Sequence, residues 1–137
     1  TLGTDGSASN TDLDMLGELR TAAFIGKGLA GDSRALPARM VLRMATLNAA
    51  RALDLDRLIG SLVPGKAADL AAFDLDTIET QPVYDPVSQI VYAASRNQVT
   101  DVWVAGKQLL QNRELTTLDA VGVIQKALDW REKIRGG

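Results

Sequence analysis

Histidine and cysteine are both absent from the 137 residues of this chain. Imidazole and thiolate groups are the commonest zinc ligands, general bases and activated nucleophile partners in enzymes. Their absence excludes a Ser–His or Cys–His pair, a thiolate metal site and a disulfide within this sequence. Any catalysis that needs imidazole must therefore use residues from elsewhere, and carboxylates are the remaining metal ligands here.

Long apolar runs, a signal peptide and an excess of one charge are also lacking. No apolar stretch approaches the ~20 residues of a transmembrane helix. Lys and Arg number 15 against 17 Asp and Glu, so neither nucleic acid nor a membrane is expected as a partner. The composition, 46% hydrophobic and 23% charged, is typical of a globular domain, and a cysteine-free chain fits a cytoplasmic location.

The sequence has no initiator methionine, and Thr1–Thr4 has the pattern of a strand end. Natural domains rarely begin inside an element. The chain is therefore expected to be the C-terminal piece of a longer protein, with the missing N-terminal part as a partner.

Capping residues and apolar periodicity predict four helical segments. Three residues are candidates for the first N-cap: Ser9, Asn10 and Thr11. Asp12 and Asp14 are expected in the first turn of that helix, and glycines between 26 and 31 are expected to end it. A second helix is predicted from Pro37, with a break at Thr46 or Asn48.

Two shorter patterns complete the helical prediction. A short helix is expected beside Pro86, and a closing amphipathic helix from about Asp119. The apolar face of the closing helix consists of Val123, Ala127, Trp130 and Ile134. Packing is the expected role of Trp130, and also of Trp103.

Strands are predicted between these helices. Two apolar runs flank Pro64–Gly65, which predicts a hairpin or a tight turn, and Gly106 is expected to turn a second pair. The stretch "GSLVPGKA" matches a phosphate-binding loop up to Lys66. However, Ala67 stands where Ser or Thr should hold magnesium, so a turn is the better interpretation.

Asp5 is the candidate functional residue. In "TLGTDGSASN" it follows an apolar approach and precedes Gly6 and small polar residues. A β-turn is one interpretation. A carboxylate at the C-terminal end of a strand, followed by a loop and a capped helix, is the pattern of an α/β-barrel active site. The other close aspartates, in three Asp-Leu-Asp stretches, are interpreted as cap charges and solvated loop edges.

Three segments resemble the amidohydrolase superfamily. "LGTDGSASNTDLDMLGELRTAAF" is similar to its last barrel strand and loop. "ALPARMVLRMATLNAARAL" followed by "IGSLVPGKAADLAAFD" resembles the passage from barrel to sandwich. "QPVYDPVSQIVYAASRNQVTDVWVAGKQLL" most resembles the 5-methylthioadenosine/S-adenosylhomocysteine deaminases, which are relatives of the triazine and N-ethylammeline chlorohydrolases.

The resemblance implies an α/β fold, the C-terminal part of a metal-dependent (β/α)8 barrel plus the C-terminal half of a small composite β-sandwich and a closing helix. Residues 1–57 are expected to contain the last barrel strand and the following helices. Residues 58–118 would be the C-terminal part of the sandwich, and residues 119–137 the C-terminal helix. Relatives are often dimers or larger, so a homo-oligomer is expected.

The resemblance also implies a site. Zinc, or another divalent metal, would be bound by a His-x-His pair, another His and the eighth-strand aspartate, which matches Asp5. A further His and a Glu would assist, all outside this sequence. Asp5 is thus expected to be both metal ligand and catalytic proton carrier in hydrolytic deamination of a small purine nucleoside. The alternatives are a guanine deaminase-like or triazine hydrolase-like enzyme, or a purely structural segment.

Overall fold

The chain combines helices with one antiparallel sheet, and it is therefore of the α/β class. The computed structural model describes residues 1–136. The helices are α1 (Met15–Ala30), α2 (Ala38–Ala45), α3 (Leu47–Ala52), α4 (Pro86–Tyr92) and α5 (Ala120–Gly136). The strands are β1 (Leu70–Phe73), β2 (Val99–Val104), β3 (Lys107–Gln111) and β4 (Glu114–Leu115), and a short 3-10 turn spans Arg96–Gln98.

The sheet has the order β1-β2-β3-β4, and every neighbouring pair is antiparallel. Strands β2 and β3 form a hairpin at Ala105 and Gly106, whose φ angles are +49° and +76°. Positive φ at both central positions matches the right-handed twist of the flanking strands. The turn predicted at Gly106 is confirmed. β1 pairs with β2 alone, so its other edge carries no strand among residues 1–136.

The segment around Pro64–Gly65 forms a tight turn but not a hairpin. Gly65 has a φ of +92°, and the Lys66 amide donates to the Val63 carbonyl at 3.2 Å. The run before the turn forms no strand, because β1 after it pairs with β2 instead, with Ala71 opposite Val102. The hairpin alternative is therefore wrong and the turn alternative is confirmed.

The hydrophobic core lies where α1, α2 and α4 pack together. It consists of Leu16, Leu19, Ala23, Ala38, Val41 and Val91. The three members on α1 recur at the spacing of one helix face. Leu2 also packs against this cluster, so the N-terminal segment is attached to the helical layer.

Helix α1 begins later than predicted. Its N-cap is Asp14, whose Oδ1 accepts from the Leu16 amide at 3.0 Å. The predicted caps at residues 9–11 are wrong, because Ser9 and Asn10 belong to a separate turn whose amides donate to the Gly6 carbonyl. Asp12 and Asp14, predicted in the first turn of the helix, precede it instead. The helix ends at Gly31, whose φ is +60°. The predicted break at Thr46 is confirmed, since its φ and ψ of −120° and −97° separate α2 from α3.

Thr1–Thr4, predicted to end a strand, lies in neither helix nor strand and pairs with no strand among the described residues. A strand forms only with a neighbour, and β1 to β4 pair with one another. The assignment of this segment to a barrel remains a prediction.

Helix α5 confirms the predicted closing helix, with the Gly122 amide donating to Asp119 Oδ1 at 3.0 Å. It contributes no buried side chain in the part of the chain that the structure describes. Trp130 is 63% exposed, with Lys133 Nζ lying 4.9 Å from the ring centroid. The packing predicted for Trp130 is therefore not made within residues 1–136, whereas Trp103 is half-buried in β2. No helix in this range has the length and apolarity to cross a bilayer.

Candidate functional site

Asp5 lies in an exposed loop between two anchored points. Leu2 packs on the core before it, and Asp14 begins α1 after it. The φ of Asp5 is +59°, in the left-handed region that Asp and Asn enter at lower cost than most residues with a side chain. The loop therefore holds a charged side chain in a backbone conformation that few residue types favour.

Hydrogen bonding distinguishes the two carboxylate oxygens of Asp5. The Gly6 amide donates to Oδ1 at 2.6 Å, and Oδ2 has no hydrogen-bond partner among residues 1–136. Thr4 Oγ1 donates to the Asp5 carbonyl at 3.0 Å. A carboxylate oriented through one oxygen can offer the other to a cation or to a proton.

The loop after Asp5 is a compact turn. The Ser9 and Asn10 amides both donate to the Gly6 carbonyl at 2.9 Å. Asn10 Nδ2 donates to Glu18 Oε1 at 2.9 Å, which attaches this turn to α1. Local polar contacts thus attach the turn after Asp5 to the first turn of the helix.

A second attachment of this loop involves a residue that is distant in the sequence. Arg96 binds Asp12 through two contacts, Nη1 to Oδ1 at 2.8 Å and Nη2 to Oδ2 at 3.0 Å. Sequence reasoning missed Arg96, because the two residues are 84 positions apart and neither local pattern identifies the other.

The donor set fits a metal only in part. A carboxylate is a suitable zinc ligand, but protein zinc sites typically use about three or four protein side chains. Among residues 1–136, no three Asp or Glu side chains form a group that could hold an ion. The described carboxylates therefore form no complete metal site, and the expected role of Asp5 as one ligand of a site completed from elsewhere stays a prediction.

The remaining close aspartates have structural partners. Asp56 Oδ2 lies 3.6 Å from Arg51 Nε, and Asp74 Oδ2 lies 3.1 Å from Arg113 Nη2. The pKa of Asp74 is lowered by the hydrogen bond from the Asp76 amide and then by Arg113. These contacts agree with their interpretation as solvated loop edges.

An apolar groove of about 640 Å³ lies between the α2–α3 layer and β1. Its walls include Leu42, Ala45, Ala49, Leu53, Leu70 and Phe73. Asp5 does not line it. The groove is separate from the candidate site, and it leaves apolar side chains uncovered beside the open edge of β1.

Comparison with known proteins defines the family. The model of the amidohydrolase family matches residues 1–109, and the chain belongs to this family. The resemblance found in the motifs is thereby confirmed. A protein of Teredinibacter turnerae named 5-methylthioadenosine/S-adenosylhomocysteine deaminase is 50% identical over 133 residues, which are 97% of this chain and 30% of that protein.

Two solved structures have the same arrangement of elements. An adenosine deaminase from Xanthomonas campestris with bound zinc superposes with a TM-score of 0.93 and 52% identity, over 98% of this chain and 31% of that one. An atrazine chlorohydrolase from Arthrobacter aurescens complexed with zinc gives 0.82 and 31% identity, over 90% and 28%. The chain thus spans about 30% of the length of the relatives it matches.

Proposed function

We propose that this chain is the C-terminal part of a metal-dependent hydrolase that deaminates 5'-methylthioadenosine or S-adenosylhomocysteine at C6 of the adenine ring. The observation that carries the proposal is the 50% identity, over almost the whole chain, to a protein named for that reaction. The carboxylate of Asp5 also supports the proposal, because it is exposed and oriented and could bind a metal ion or accept a proton.

The proposed architecture assigns residues 1–57 to the last barrel strand and the helices after it. Residues 58–118 form the C-terminal part of a composite β-sandwich, and residues 119–137 form the closing helix. The boundary near residue 57 is supported by the end of α3 at Ala52 and by the sheet that begins at Leu70. The uncovered groove and the open edge of β1 offer a place for strands from the N-terminal part.

In this proposal Asp5 contributes both to metal binding and to proton transfer. A divalent ion bound there, such as the zinc of the two related crystal structures, would lower the pKa of a bound water toward ~7. The Gly6 amide fixes the orientation of the Asp5 carboxylate through Oδ1. Asp5 would take a proton from the attacking water as the C6–O bond forms and pass it to the amino group, so that the C6–N bond breaks and ammonia leaves.

The other groups of the proposed site come from outside this sequence. They are a His-x-His pair and another His as ligands, with a further His and a Glu assisting the reaction. A homo-oligomer in the cytoplasm completes the proposal.

The test is the substitution Asp5→Asn in the complete protein. Asn tolerates the left-handed backbone, and its amide oxygen can still accept from the Gly6 amide, so the loop should keep its shape. The variant loses the charge and the proton acceptor. We expect kcat to fall by about 10²-fold or more, and zinc to be lost more readily to a chelator.

Asp54→Asn is the matched control. Asp54 is also exposed, and its φ of +57° is nearly that of Asp5. This variant should keep normal turnover and normal zinc content. Near-normal turnover of the Asp5→Asn variant would contradict the proposed role of Asp5.

Two other functions are distinguished in the same assay. The 31% identity to an atrazine chlorohydrolase favours a triazine-type substrate as the second candidate, and a guanine deaminase-like activity belongs to the same panel. Preference for a halogenated triazine or for guanine over the adenine nucleosides would replace the proposed substrate.

For the isolated chain, a structural role predicts no stoichiometric zinc binding, and stoichiometric binding would count against that role.

A further inference from the structure

The segment that carries Asp5 has an unbalanced charge. Residues 1–14 contain three aspartates and neither lysine nor arginine. Like charges on a short exposed loop repel one another and favour extended conformations. A compact turn at this place therefore benefits from a positive charge supplied by another part of the chain.

Arg96 supplies that charge in a directional form. Its guanidinium faces the Asp12 carboxylate with two nearly parallel contacts of 2.8 Å and 3.0 Å. Exposed ion pairs usually contribute little, but a bidentate arginine–carboxylate pair also fixes the relative orientation of its partners. The contact therefore restricts the position of Asp12 more than a single salt bridge would.

Arg96 itself belongs to a well-supported turn. The Ser95 amide donates to Gln98 Oε1 at 2.8 Å, and the side chain of Gln98 is buried. Just before this turn, the carbonyl of the buried residue Ala94 accepts from Arg20 Nη2 on α1 at 2.5 Å. The turn that carries Arg96 is thus attached to the helical layer, and it leads directly into β2 of the sheet.

From Asp12 the restraint continues to Asp5 through short contacts. Asn10 Oδ1 accepts from the Asp12 amide at 3.1 Å, and the Asn10 amide donates to the Gly6 carbonyl at 2.9 Å. Gly6 in turn donates to Asp5 Oδ1. Two residues, Asn10 and Gly6, therefore link Asp12 to the carboxylate proposed to hold the metal.

We propose that Arg96 is a positioning residue that fixes the Asp5 loop through its bidentate pair with Asp12. This inference rests on the proposed function, because a defined loop is useful only if Asp5 has a partner to bind. Arg96 touches neither metal nor substrate. It acts by limiting the positions available to the Asp5 carboxylate.

The experiment compares Arg96→Gln with Arg113→Gln in the complete protein. Arg113 also forms an exposed pair with an aspartate, Asp74 at 3.1 Å, but on the sheet. Three quantities are measured: hydrogen–deuterium exchange of peptides covering residues 6–12 in the metal-free protein, the rate of zinc loss to a chelator, and kcat with KM.

The Arg96→Gln variant should show faster exchange in the Asp5 loop, up to about tenfold faster zinc loss, and a lower kcat with unchanged KM. The Arg113→Gln variant should behave as the unmodified protein in all three. Arg96→Lys should give intermediate values of all three quantities, because an ammonium group cannot form the bidentate contact. The reversed pair, Asp12→Arg with Arg96→Asp, should recover much of the loss that either single change causes.

The inference would be overturned if Arg96→Gln showed the same loop exchange and the same rate of zinc loss as Arg113→Gln. It would also be overturned if the reversed pair recovered none of the loss that the single changes cause. If Arg96→Gln does not fold, the lysine variant and the reversed pair decide in its place. Failure of the proposed function is recognised separately, because Asp5→Asn would then keep normal turnover. Hydrogen–deuterium exchange of residues 6–12 in the metal-free protein tests the role of Arg96 whether or not the proposed function holds.

Discussion

At the residue scale, Gly60 has the tightest surroundings of the glycines with positive φ. Its φ is +84°, and a Cβ built there would lie 2.6 Å from Ala50 Cβ and 3.1 Å from Leu47 Cα. Alanine at this position combines left-handed strain with overpacking against α3. We expect Gly60→Ala to lower the free energy of unfolding by roughly 2–5 kcal/mol.

Gly65→Ala is the control for that substitution. Gly65 has a similar φ of +92°, but nothing lies within 4 Å of the added Cβ. The strain alone should cost about 1–2 kcal/mol. Urea unfolding of the two variants should separate them, and equal midpoints would show that contact with α3 is unimportant.

Single residues also show how far the sequence predicts the candidate site. Asp5 is a candidate from its local sequence alone, because an apolar approach, a glycine and a following helix are local features, and its role in a site stays a prediction. Arg96 is not, because its partner Asp12 is distant in sequence and the pair forms only after the chain has folded. Residues that act through tertiary contacts leave no pattern of their own in one sequence.

At the element scale, the cap of α1 offers a clear prediction. Asp14 Oδ1 accepts from the Leu16 amide, one of the donors that the first turn of a helix leaves without an internal partner. Asp14→Ala should lower the free energy of unfolding by about 1 kcal/mol. Asp14→Ser should retain most of that stability, because serine also caps well, and thermal unfolding distinguishes the two. Equal losses in both variants would argue against a capping role.

The same helix shows why its start was predicted too early. Ser, Asn and Thr at positions 9–11 are all good caps, but the chain forms a separate turn there, in which the Ser9 and Asn10 amides donate to the Gly6 carbonyl. Periodicity correctly identified the helices, because apolar spacing depends on the helix itself. It could not choose among several capping residues, because that choice depends on which donors the preceding turn uses.

At the scale of the whole molecule, Asp74 contributes to the pH dependence of folding stability. The Asp76 amide and Arg113 lower its pKa below the ordinary value of 3.8. A lowered folded-state pKa stabilises the fold above the unfolded-state value, and this contribution disappears as the pH falls through the folded-state value. Asp74→Asn should therefore be less stable than the unmodified protein near neutral pH, and the difference should shrink as the pH falls below the ordinary value of 3.8.

Carboxyl NMR titration tests the causes separately. In Arg113→Gln the pKa of Asp74 should rise toward 3.8 but stay below it, because the Asp76 amide still donates to the carboxylate. An unchanged pKa would exclude the ion pair as a cause. A pKa that returns fully to its ordinary value would exclude the amide.

The overall arrangement was less predictable than its parts. The sequence predicts the closing helix and its apolar face, yet α5 buries no side chain among the described residues. An amphipathic pattern indicates that a face needs a partner, but it carries no information about which surface provides one. The strand partner of β1 could not be predicted from local sequence either, because β2 begins 29 positions after Leu70.

The left-handed backbone of Asp5 has a consequence for evolutionary change at this position. At a φ of +59°, glycine and asparagine are the inexpensive replacements, whereas alanine or a β-branched residue would strain the loop. A homologue that lost the proposed activity could therefore accept Asn or Gly here and keep its loop intact. Such a protein would be a folded pseudoenzyme, recognisable by that single residue.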